Sequence, residues 1–310
     1  MTPRPSLKHS NVGRGVTAVR RVSHRASHPG GDPGEGIAKG TPRPSVELAA
    51  EGRPVSGRCV AIIQARMGSS RLAGKVLADI EGRPMLGRMF DRLVPARTLA
   101  EVVVATTHLA EDDAVAALCQ ARATRCVRGH PSDVLDRYHQ AAQAVGADVI
   151  IRLTGDCPLI DPEVVDLCVR TYLESEPAVD LVVNRLPWER SYPIGLDTEV
   201  FGRPVLDILW REASEPHQRE HVVPYLYENL DRFTMIHLQS DGDYGRYRWT
   251  VDEPEDLEAV RRIYRAFAGR DDFGWREVVA LMEREPALAA LNAGVVHKTH
   301  LDTDHGEGAK

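Results

Sequence analysis

Three cations in a loop of small residues are the part of this sequence best suited to chemistry. Arg66, Arg71 and Lys75 fall within ten residues, and Gly68–Ser70 lies between them. Small residues let a backbone approach a ligand closely and direct several amide N–H groups at it. With three cations added, such a loop suits a polyphosphate better than a single carboxylate. The same pattern also fits a polar surface loop with solvated arginines, and spacing alone leaves both interpretations open.

Two acidic residues follow segments that are predicted to be strands. Asp156 comes after the apolar run 148–154, and Asp252 follows the segment 246–251. Because open parallel sheets bind ligands beyond the carboxyl ends of their strands, we expect both carboxylates beside the cationic loop. Two carboxylates at the edge of a polyphosphate site suit Mg²⁺, which takes waters and phosphate oxygens as its other ligands. Taken separately, Asp156 also fits a turn between Gly and Pro, and Asp252 the N-cap of a helix.

Strand and helix patterns alternate from residue 59 to about residue 185. Short apolar runs predict strands at 59–65, 101–106, 125–127, 148–154 and 180–184, and helices are predicted near 84–94, from 111, over 132–145 and from 161. This alternation predicts an α/β fold with a mostly parallel sheet flanked by helices. The later pattern predicts strands within 192–201 and near 233–238 and 246–251, and helices near 204–213, 217–228, 253–268 and 274–284.

Charge is distributed unevenly along the 310 residues. The net charge is −6, yet residues 1–58 carry ten Lys or Arg and four Asp or Glu, which leaves −12 for the remainder. An acidic body argues against a general nucleic-acid binder, whose binding face is normally basic. No apolar run reaches the roughly 18 residues of a membrane span. We therefore expect neither a nucleic-acid partner nor a membrane partner.

Cysteine usage and local composition indicate the compartment and the domain limits. The five cysteines include no Cys-x-x-Cys pair, so we expect reduced thiols and a cytoplasmic location. Residues 1–57 are rich in Pro, Gly, Ser, Arg and His and lack periodicity, which predicts a disordered basic leader. A transit peptide and an over-long start remain open for this leader. The predicted domain covers 58–290, and a polar tail covers 291–310.

Seven segments of the chain resemble one family of enzymes. Segment 64–77, Gln-Ala-Arg-Met-Gly-Ser-Ser-Arg-Leu-Ala-Gly-Lys-Val-Leu, is similar to the opening motif of the cytidylyltransferases that make CMP-Kdo and CMP-sialic acids. Within that superfamily it most resembles the spore-coat polysaccharide biosynthesis protein F family. Ala73 stands where the family usually has Pro. Ile194 replaces a common Asp before Gly195, near where the resemblance would put the acceptor sugar or the dimer contact. The other matching segments are 103–107, 133–138, 154–162, 195–201, 219–225 and 248–257.

The resemblance implies a nucleotide-diphospho-sugar-transferase fold, which is Rossmann-like, and a reaction that uses CTP and Mg²⁺. Arg66, Arg71 and Lys75 would be the catalytic cations that hold the triphosphate. The family's remaining positions correspond here to nucleotide contacts at Ala65, Gly68, Ser69, Ser70, Thr106, Thr107, Arg128 and Asp136, metal ligands at Asp156 and Asp252, and acceptor contacts at Asp197, Glu199, Arg219 and His221.

The implied reaction is transfer of CMP from CTP to an acidic, nonulosonate-like sugar with release of pyrophosphate, for surface polysaccharide or glycan synthesis. The resemblance also implies a homodimer with its contact within 186–201. Three alternatives stay open. One is a nucleotidyltransferase that acts on a sugar phosphate or phosphonate, and another is a glycosyltransferase of related fold, although no Asp-x-Asp follows the early strands. The third is a catalytically silent nucleotide-binding protein.

Overall fold

The computed structural model describes residues 16–22 as backbone, and residues 57–296 and 301 in full. Its main sheet has eight strands in the order β1-β12-β8-β11-β7-β2-β5-β6. Two small hairpins, β3-β4 and β9-β10, complete the sheet structure of this part of the chain. The strands are β1 (Val16–Val22), β2 (Cys59–Gln64), β3 (Asp79–Ile80), β4 (Arg83–Pro84), β5 (Glu101–Thr107), β6 (Arg125–Gly129), β7 (Val149–Thr154), β8 (Leu181–Val183), β9 (Arg185–Leu186), β10 (Glu189–Arg190), β11 (Glu199–Gly202) and β12 (Met235–Ser240).

Helices cover both faces of the main sheet. Among the described residues, no helix is both long enough and apolar enough to cross a membrane. Two short 3-10 helices, at Lys75–Leu77 and Ala110–Asp112, follow β2 and β5. The α-helices are α1 (Met85–Leu93), α2 (Asp113–Ala121), α3 (Val134–Val145), α4 (Pro162–Leu173), α5 (Arg203–Glu212), α6 (Pro216–His221), α7 (Pro224–Glu228), α8 (Pro254–Ala266), α9 (Trp275–Arg284) and α10 (Pro286–Ala290).

The sheet is mostly parallel, as the alternating pattern predicts. Strands β6, β5, β2 and β7 are parallel to one another, and β8 and β12 are parallel as well. Strand β11 runs antiparallel to both of its neighbours, β7 and β8. The predicted fold class is confirmed, with one antiparallel strand inserted between the parallel groups.

Alternate residues of the central strand β2 supply two separate hydrophobic cores. Cys59, Ala61 and Ile63 belong to a core with α1, α4, α8 and α9. Val60 and Ile62 face the opposite core, which contains α3 and α5. Successive side chains of a strand point to opposite faces, so a strand that is covered on both sides must be apolar throughout. That requirement explains why this segment is a continuous apolar run.

The structure differs from the sequence prediction in three places. Val16–Val22, inside the predicted disordered leader, pairs antiparallel with β12, because four of its seven residues are β-branched and β12 offers an edge. The other residues of the 1–57 leader, and residues 297–300 and 302–310 of the tail, lie outside the described residues. The helix predicted over 217–228 divides into α6 and α7, since Val222 has φ 72° and Pro224 begins a new helix.

The third difference is segment 246–251, which is not a strand of the sheet. Its ladder contact is a single bridge between Ile194 and Arg248. The backbone N–H groups of Trp249 and Val251 donate to the loop carbonyls of Ile194 and Asp156, at 2.7 and 2.8 Å. The segment is therefore a loop that is hydrogen-bonded to other loops, although its alternation of polar and apolar residues predicts a strand.

The carboxyl ends of β2 and β7 lie side by side at one edge of the sheet. Gln64 is in register with Thr154, and the N–H of Gly155 donates to the Gln64 carbonyl at 2.8 Å. A Cβ at position 155 would lie 2.7 Å from that carbonyl oxygen, so only glycine fits this close approach. The loops that follow these two strands are consequently in contact.

Candidate active site

The cationic loop is anchored at both ends by hydrogen bonds. Asp112 accepts the Met67 N–H at 2.6 Å, and the Gly74 N–H donates to the Met67 carbonyl at 2.9 Å. Gly74 has φ 71°, a left-handed conformation that suits glycine, and it begins the 3-10 helix at Lys75. The loop therefore closes on itself and returns the chain so that Lys75 faces the end of β7.

A cleft opens where the loops after β2 and β7 meet the segments around 195 and 250. Among the residues whose placement is described, the amide N–H groups of Gly68 and Ser69 have no protein acceptor, which suits a nest for anions. The residues predicted from the sequence that line this cleft are Ala65, Arg66, Gly68, Ser69, Ser70, Arg71, Lys75, Asp156, Asp197, Glu199, His221 and Asp252.

Lys75 bridges the two carboxylates that the sequence suggested as metal ligands. Its Nζ lies 3.1 Å from Asp156 Oδ2 and 2.7 Å from Asp252 Oδ1. These two oxygens can therefore be no more than 5.8 Å apart, which is the sum of the two distances. Burial by itself would lower the pKa of Lys75, but Asp156 and Asp252 raise it above its ordinary value. The structure thus brings together three groups that are far apart in the sequence.

Asp252 is surrounded by cations. Arg71 Nη2 lies 2.9 Å from Asp252 Oδ1, and Arg248 Nη2 lies 2.6 Å from Oδ2. Burial would raise the pKa of the Asp252 carboxyl, but Lys75, Arg71 and Arg248 together lower it to about 2. Fully buried Asp256 holds Arg248 at 2.9 Å and accepts the Asp252 N–H at 3.0 Å. Asp252 is consequently fixed in place and ionised.

The donor set fits a magnesium ion. Asp156 and Asp252 direct oxygens at one point, which the Lys75 ammonium occupies. No cluster of three or more His, Cys, Asp or Glu able to hold a metal occurs in the described parts of the chain. A hard cation bound through two carboxylates, with water and phosphate oxygens completing its shell, is the usual arrangement for Mg²⁺ in nucleotide enzymes. The described residues therefore form no zinc-type cage of His or Cys.

Ion pairs line the part of the cleft that contains Asp197 and Glu199. Arg152 Nη1 donates to Glu199 Oε2 at 2.6 Å, and both side chains are buried. Asp197 accepts two hydrogen bonds from Arg190, at 2.5 and 3.0 Å, and lies 3.3 Å from Arg185 Nε. Asp197 and Glu199 therefore line the cleft, and each forms an ion pair with at least one arginine.

Five predicted site residues are not among those that line the cleft. Thr106 and Thr107 are fully buried, and the Thr107 hydroxyl donates to Asp112, which anchors the cationic loop. Arg128 binds the carbonyls of Thr107 and Leu109, and its Nη1 lies 2.7 Å from Asp113. Asp136 accepts from Gln140 and Trp210, and Arg219 forms a forked pair with Asp133. Their roles as nucleotide or acceptor contacts stay predictions.

Four charged residues line the cleft without having been predicted from the sequence: Arg137, Arg152, Arg185 and Glu220. Arg152 could have been predicted from the sequence, because it is a charged residue within the apolar run Val149–Thr154, a strand that is covered on both faces. A charge in such a strand needs a partner or a function. Arg137, Arg185 and Glu220 lie in polar segments, where charged residues are ordinary.

A family model described as "Cytidylyltransferase" matches residues 60–268. The chain belongs to the cytidylyltransferase family. The spore coat polysaccharide biosynthesis protein SpsF of Bacillus subtilis is 32% identical over 235 residues, covering 74% of this chain and 95% of SpsF. An uncharacterised protein of Methanocaldococcus jannaschii is 32% identical over 249 residues, covering 80% and 99%. The chain therefore groups with the SpsF family, within the superfamily of CMP-Kdo and CMP-sialic acid synthetases.

Relatives of known activity and solved structures agree with this grouping. A 3-deoxy-manno-octulosonate cytidylyltransferase of Chlorobaculum tepidum is 28% identical, covering 66% of this chain and 97% of that enzyme. A cytidylyltransferase structure from Leptospira borgpetersenii superposes with a TM-score of 0.73 at 32% identity, covering 77% of this chain and 99% of that one. A CMP:2-keto-3-deoxy-manno-octonic acid synthetase solved with CTP gives 0.52 at 25% identity, covering 68% and 99%.

These findings confirm the fold and the reaction class predicted from the sequence. The cytidylyltransferase is a CTP-dependent nucleotidyltransferase of the nucleotide-diphospho-sugar-transferase fold. The predicted family is confirmed as well.

Proposed function

We propose that this cytidylyltransferase transfers CMP from CTP to an acidic, nonulosonate-like sugar. The observation that carries the proposal is the meeting of Lys75 with Asp156 and Asp252 beside the cationic loop. Such a site can hold a metal-bound triphosphate, and Arg185, Asp197 and Glu199 line the same cleft. The acidic sugar is supported by the named activity of the Chlorobaculum relative, and a role in surface polysaccharide synthesis by the name of SpsF.

The charges of the cleft suit this pair of substrates. Six Lys or Arg and five Asp or Glu line it, so a divalent cation at the two aspartates would leave a net positive cleft. A triphosphate and a sugar carboxylate are both anionic, and a positive cleft attracts them. On the acceptor side, Arg185 would receive the sugar carboxylate, because its side chain keeps 20% exposure while Arg152 is 8% exposed and committed to Glu199.

The chain's own residues act by positioning substrates and neutralising charge. An acceptor hydroxyl attacks the α-phosphorus of CTP in line, the bond to the β-phosphate breaks, and the hydroxyl proton is released. Asp156 and Asp252 would hold Mg²⁺, which supplies neutralisation of phosphate oxygens when it is bound. Lys75 must then give up its contact with both carboxylates, and its ammonium becomes available to the leaving pyrophosphate. Arg66 and Arg71 stabilise the same developing charge.

Pyrophosphate release tests the reaction and the acceptor together. The purified enzyme is assayed with MgCl₂ and each of CTP, UTP, ATP and GTP, against nonulosonic acids, sugar phosphates and phosphonates. Release with CTP and a nonulosonic acid, such as 3-deoxy-manno-octulosonate, is the expected result. Release only with a sugar phosphate or phosphonate would overturn the acidic-sugar assignment and leave the cytidylyltransferase reaction intact.

A second experiment tests the metal assignment. Asp156→Asn should keep the fold, because Asp156 is a partly exposed loop residue, yet lose turnover by on the order of 10²-fold or more. Binding of Mn²⁺ by the CTP complex, followed by electron paramagnetic resonance, should weaken in this variant. Asp243→Asn, which removes an acid from an outer loop, is the matched control and should change neither quantity. Unchanged Mn²⁺ binding by Asp156→Asn would contradict the role of Asp156.

We also propose a homodimer with its contact within residues 186–201. Trp188 lies at the turn of the β9-β10 hairpin and is 58% exposed, which is unusual for a side chain of its size. Light scattering of the wild type and of Trp188→Ser tests this proposal. A wild-type monomer at micromolar concentration would contradict it.

A further inference from the structure

Arg137, on helix α3, is a buried cation at the wall of the cleft. Arg137 is 2% exposed, and it lines the cleft together with Arg66 and Val134. Its Nη1 donates to the carbonyls of His130 and Pro131, at 2.6 and 2.9 Å. Nε is buried with no hydrogen-bond partner among the described residues. Nη2 has no partner there either and is not sealed from solvent, so it is the part of the guanidinium that opens into the cleft.

No carboxylate forms an ion pair with Arg137 in the described part of the chain. The carboxyl groups that influence Arg137 most are those of Asp112 and Asp133, and both have other partners. Asp112 accepts the Met67 N–H and the Thr107 hydroxyl. Asp133 accepts a forked pair from Arg219 and caps helix α3. The described residues therefore include no uncommitted carboxylate that pairs with this guanidinium.

The surroundings make this cation costly to bury. Burial and the neighbouring positive charge of Arg66 lower the pKa of Arg137 to about 10. Buried charges in proteins are normally paired, because an uncompensated one loses its hydration without an equivalent gain. An apolar residue of similar size would have filled the same space without that loss. An anionic ligand in the cleft would supply the missing partner.

We propose that Arg137 binds a phosphate group of CTP together with Arg66. Both arginines line the cleft, and they lie close enough for the positive charge of Arg66 to act on Arg137. A guanidinium with two unused donors matches the tetrahedral oxygens of a phosphate better than a neutral sugar hydroxyl. Arg137 thus extends the set of triphosphate ligands beyond the loop that the sequence identifies.

Isothermal titration of Arg137→Gln with CTP, cytidine and inorganic tripolyphosphate tests this proposal. Loss of a charge-assisted contact should weaken CTP and tripolyphosphate by about tenfold or more, while cytidine binding stays unchanged. Arg125→Gln is the matched control, because it removes a surface arginine of the neighbouring strand β6 that pairs with Glu101, and it should leave all three ligands unaffected. Equal tripolyphosphate affinity in the wild type and Arg137→Gln would overturn the proposal.

The alternative is that Arg137 only holds the carbonyls of His130 and Pro131. Such a structural role would weaken cytidine and CTP by the same factor, and that outcome would also overturn the proposal. If Arg137→Gln does not fold, Arg137→Lys provides the test, since it keeps the charge but not the fork. The Lys variant should lose affinity for tripolyphosphate and raise the KM for CTP, with unchanged cytidine binding. Equal loss for cytidine would again indicate a structural role.

Discussion

Lys75 is the cation that bridges Asp156 and Asp252 and offsets their mutual repulsion, and Lys75→Met would remove it. In the variant, Asp156 Oδ2 and Asp252 Oδ1 would remain within 5.8 Å of each other without the ammonium between them. Two unit charges at that separation repel by about 3 kcal/mol at an effective dielectric constant near 20, before the side chains relax. The free energy of unfolding should therefore fall by about 3 kcal/mol at pH 7, which lowers Tm by roughly 6–12 °C for a domain of this size.

Two further readouts follow from the same geometry. The repulsion should raise the pKa of one carboxyl by about 2 units, since one unit corresponds to about 1.4 kcal/mol. The difference in free energy of unfolding between the wild type and Lys75→Met should then become smaller as the pH is lowered from 7 to 4.5. Without nucleotide, MgCl₂ or MnCl₂ should stabilise Lys75→Met more than the wild type, because in the wild type the metal must displace the ammonium.

Thermal unfolding at pH 7 and pH 4.5, with and without each metal, measures all three effects. Arg262→Met is the control, because it removes a cation from an exposed pair with Glu258 and should cost less than about 1 kcal/mol. A Lys75→Met protein with wild-type Tm, and with no greater response to divalent cations, would refute the reasoning about the two carboxylates.

Three other predictions concern residues around the cleft. Arg152→Met should lower the free energy of unfolding by about 3–5 kcal/mol in urea titrations, because it leaves Glu199 charged and buried. Gly195→Ala should destabilise the fold by at least about 1 kcal/mol in the same assay, since φ is 105° and a Cβ would lie 2.7 Å from the Thr250 nitrogen. Asp252, with its pKa lowered from 3.8 to about 2, should contribute about 2 kcal/mol above pH 4 that is lost as the pH falls toward 2, and Asp252→Asn should flatten that part of the stability profile.

Each of these predictions has a contradicting outcome. A cost below 1 kcal/mol for Arg152→Met would contradict the claim that the change leaves Glu199 as an uncompensated buried charge. A wild-type melting curve for Gly195→Ala would show that the backbone there adapts without strain. If the stability of Asp252→Asn falls with decreasing pH as steeply as that of the wild type, other carboxyl groups account for the acid sensitivity.

Patterns of neighbouring residues in the sequence were enough to predict the sheet covered by helices and the cationic loop of the site. The β-branched apolar runs identify the central strands, since a strand that is covered on both faces must be apolar along its whole length. The loop Arg66–Lys75 is recognisable because small residues and cations are adjacent in the chain. Its anchoring by Gly74, with φ 71°, depends on a residue type that a sequence displays directly.

Tertiary structure alone decided which distant residues share the cleft. Segment 246–251 has the alternation of a strand, yet its hydrogen bonds go to loops, and this is how Asp252 reaches Lys75. Thr106 and Thr107 end a strand beside the site, but both faces of the sheet are covered there, so both side chains are buried.

The arginines show most clearly what the sequence and the tertiary structure each determine. Arg219 and Arg128 look as suitable for an anion as Arg137 does, but they are bound to Asp133 and Asp113. Arg137 lines the cleft, and none of the described carboxylates forms an ion pair with it. A sequence shows which charges exist, whereas pairing depends on distances through space between residues that can be many positions apart. Which cations remain to bind a ligand is therefore a property of the folded chain.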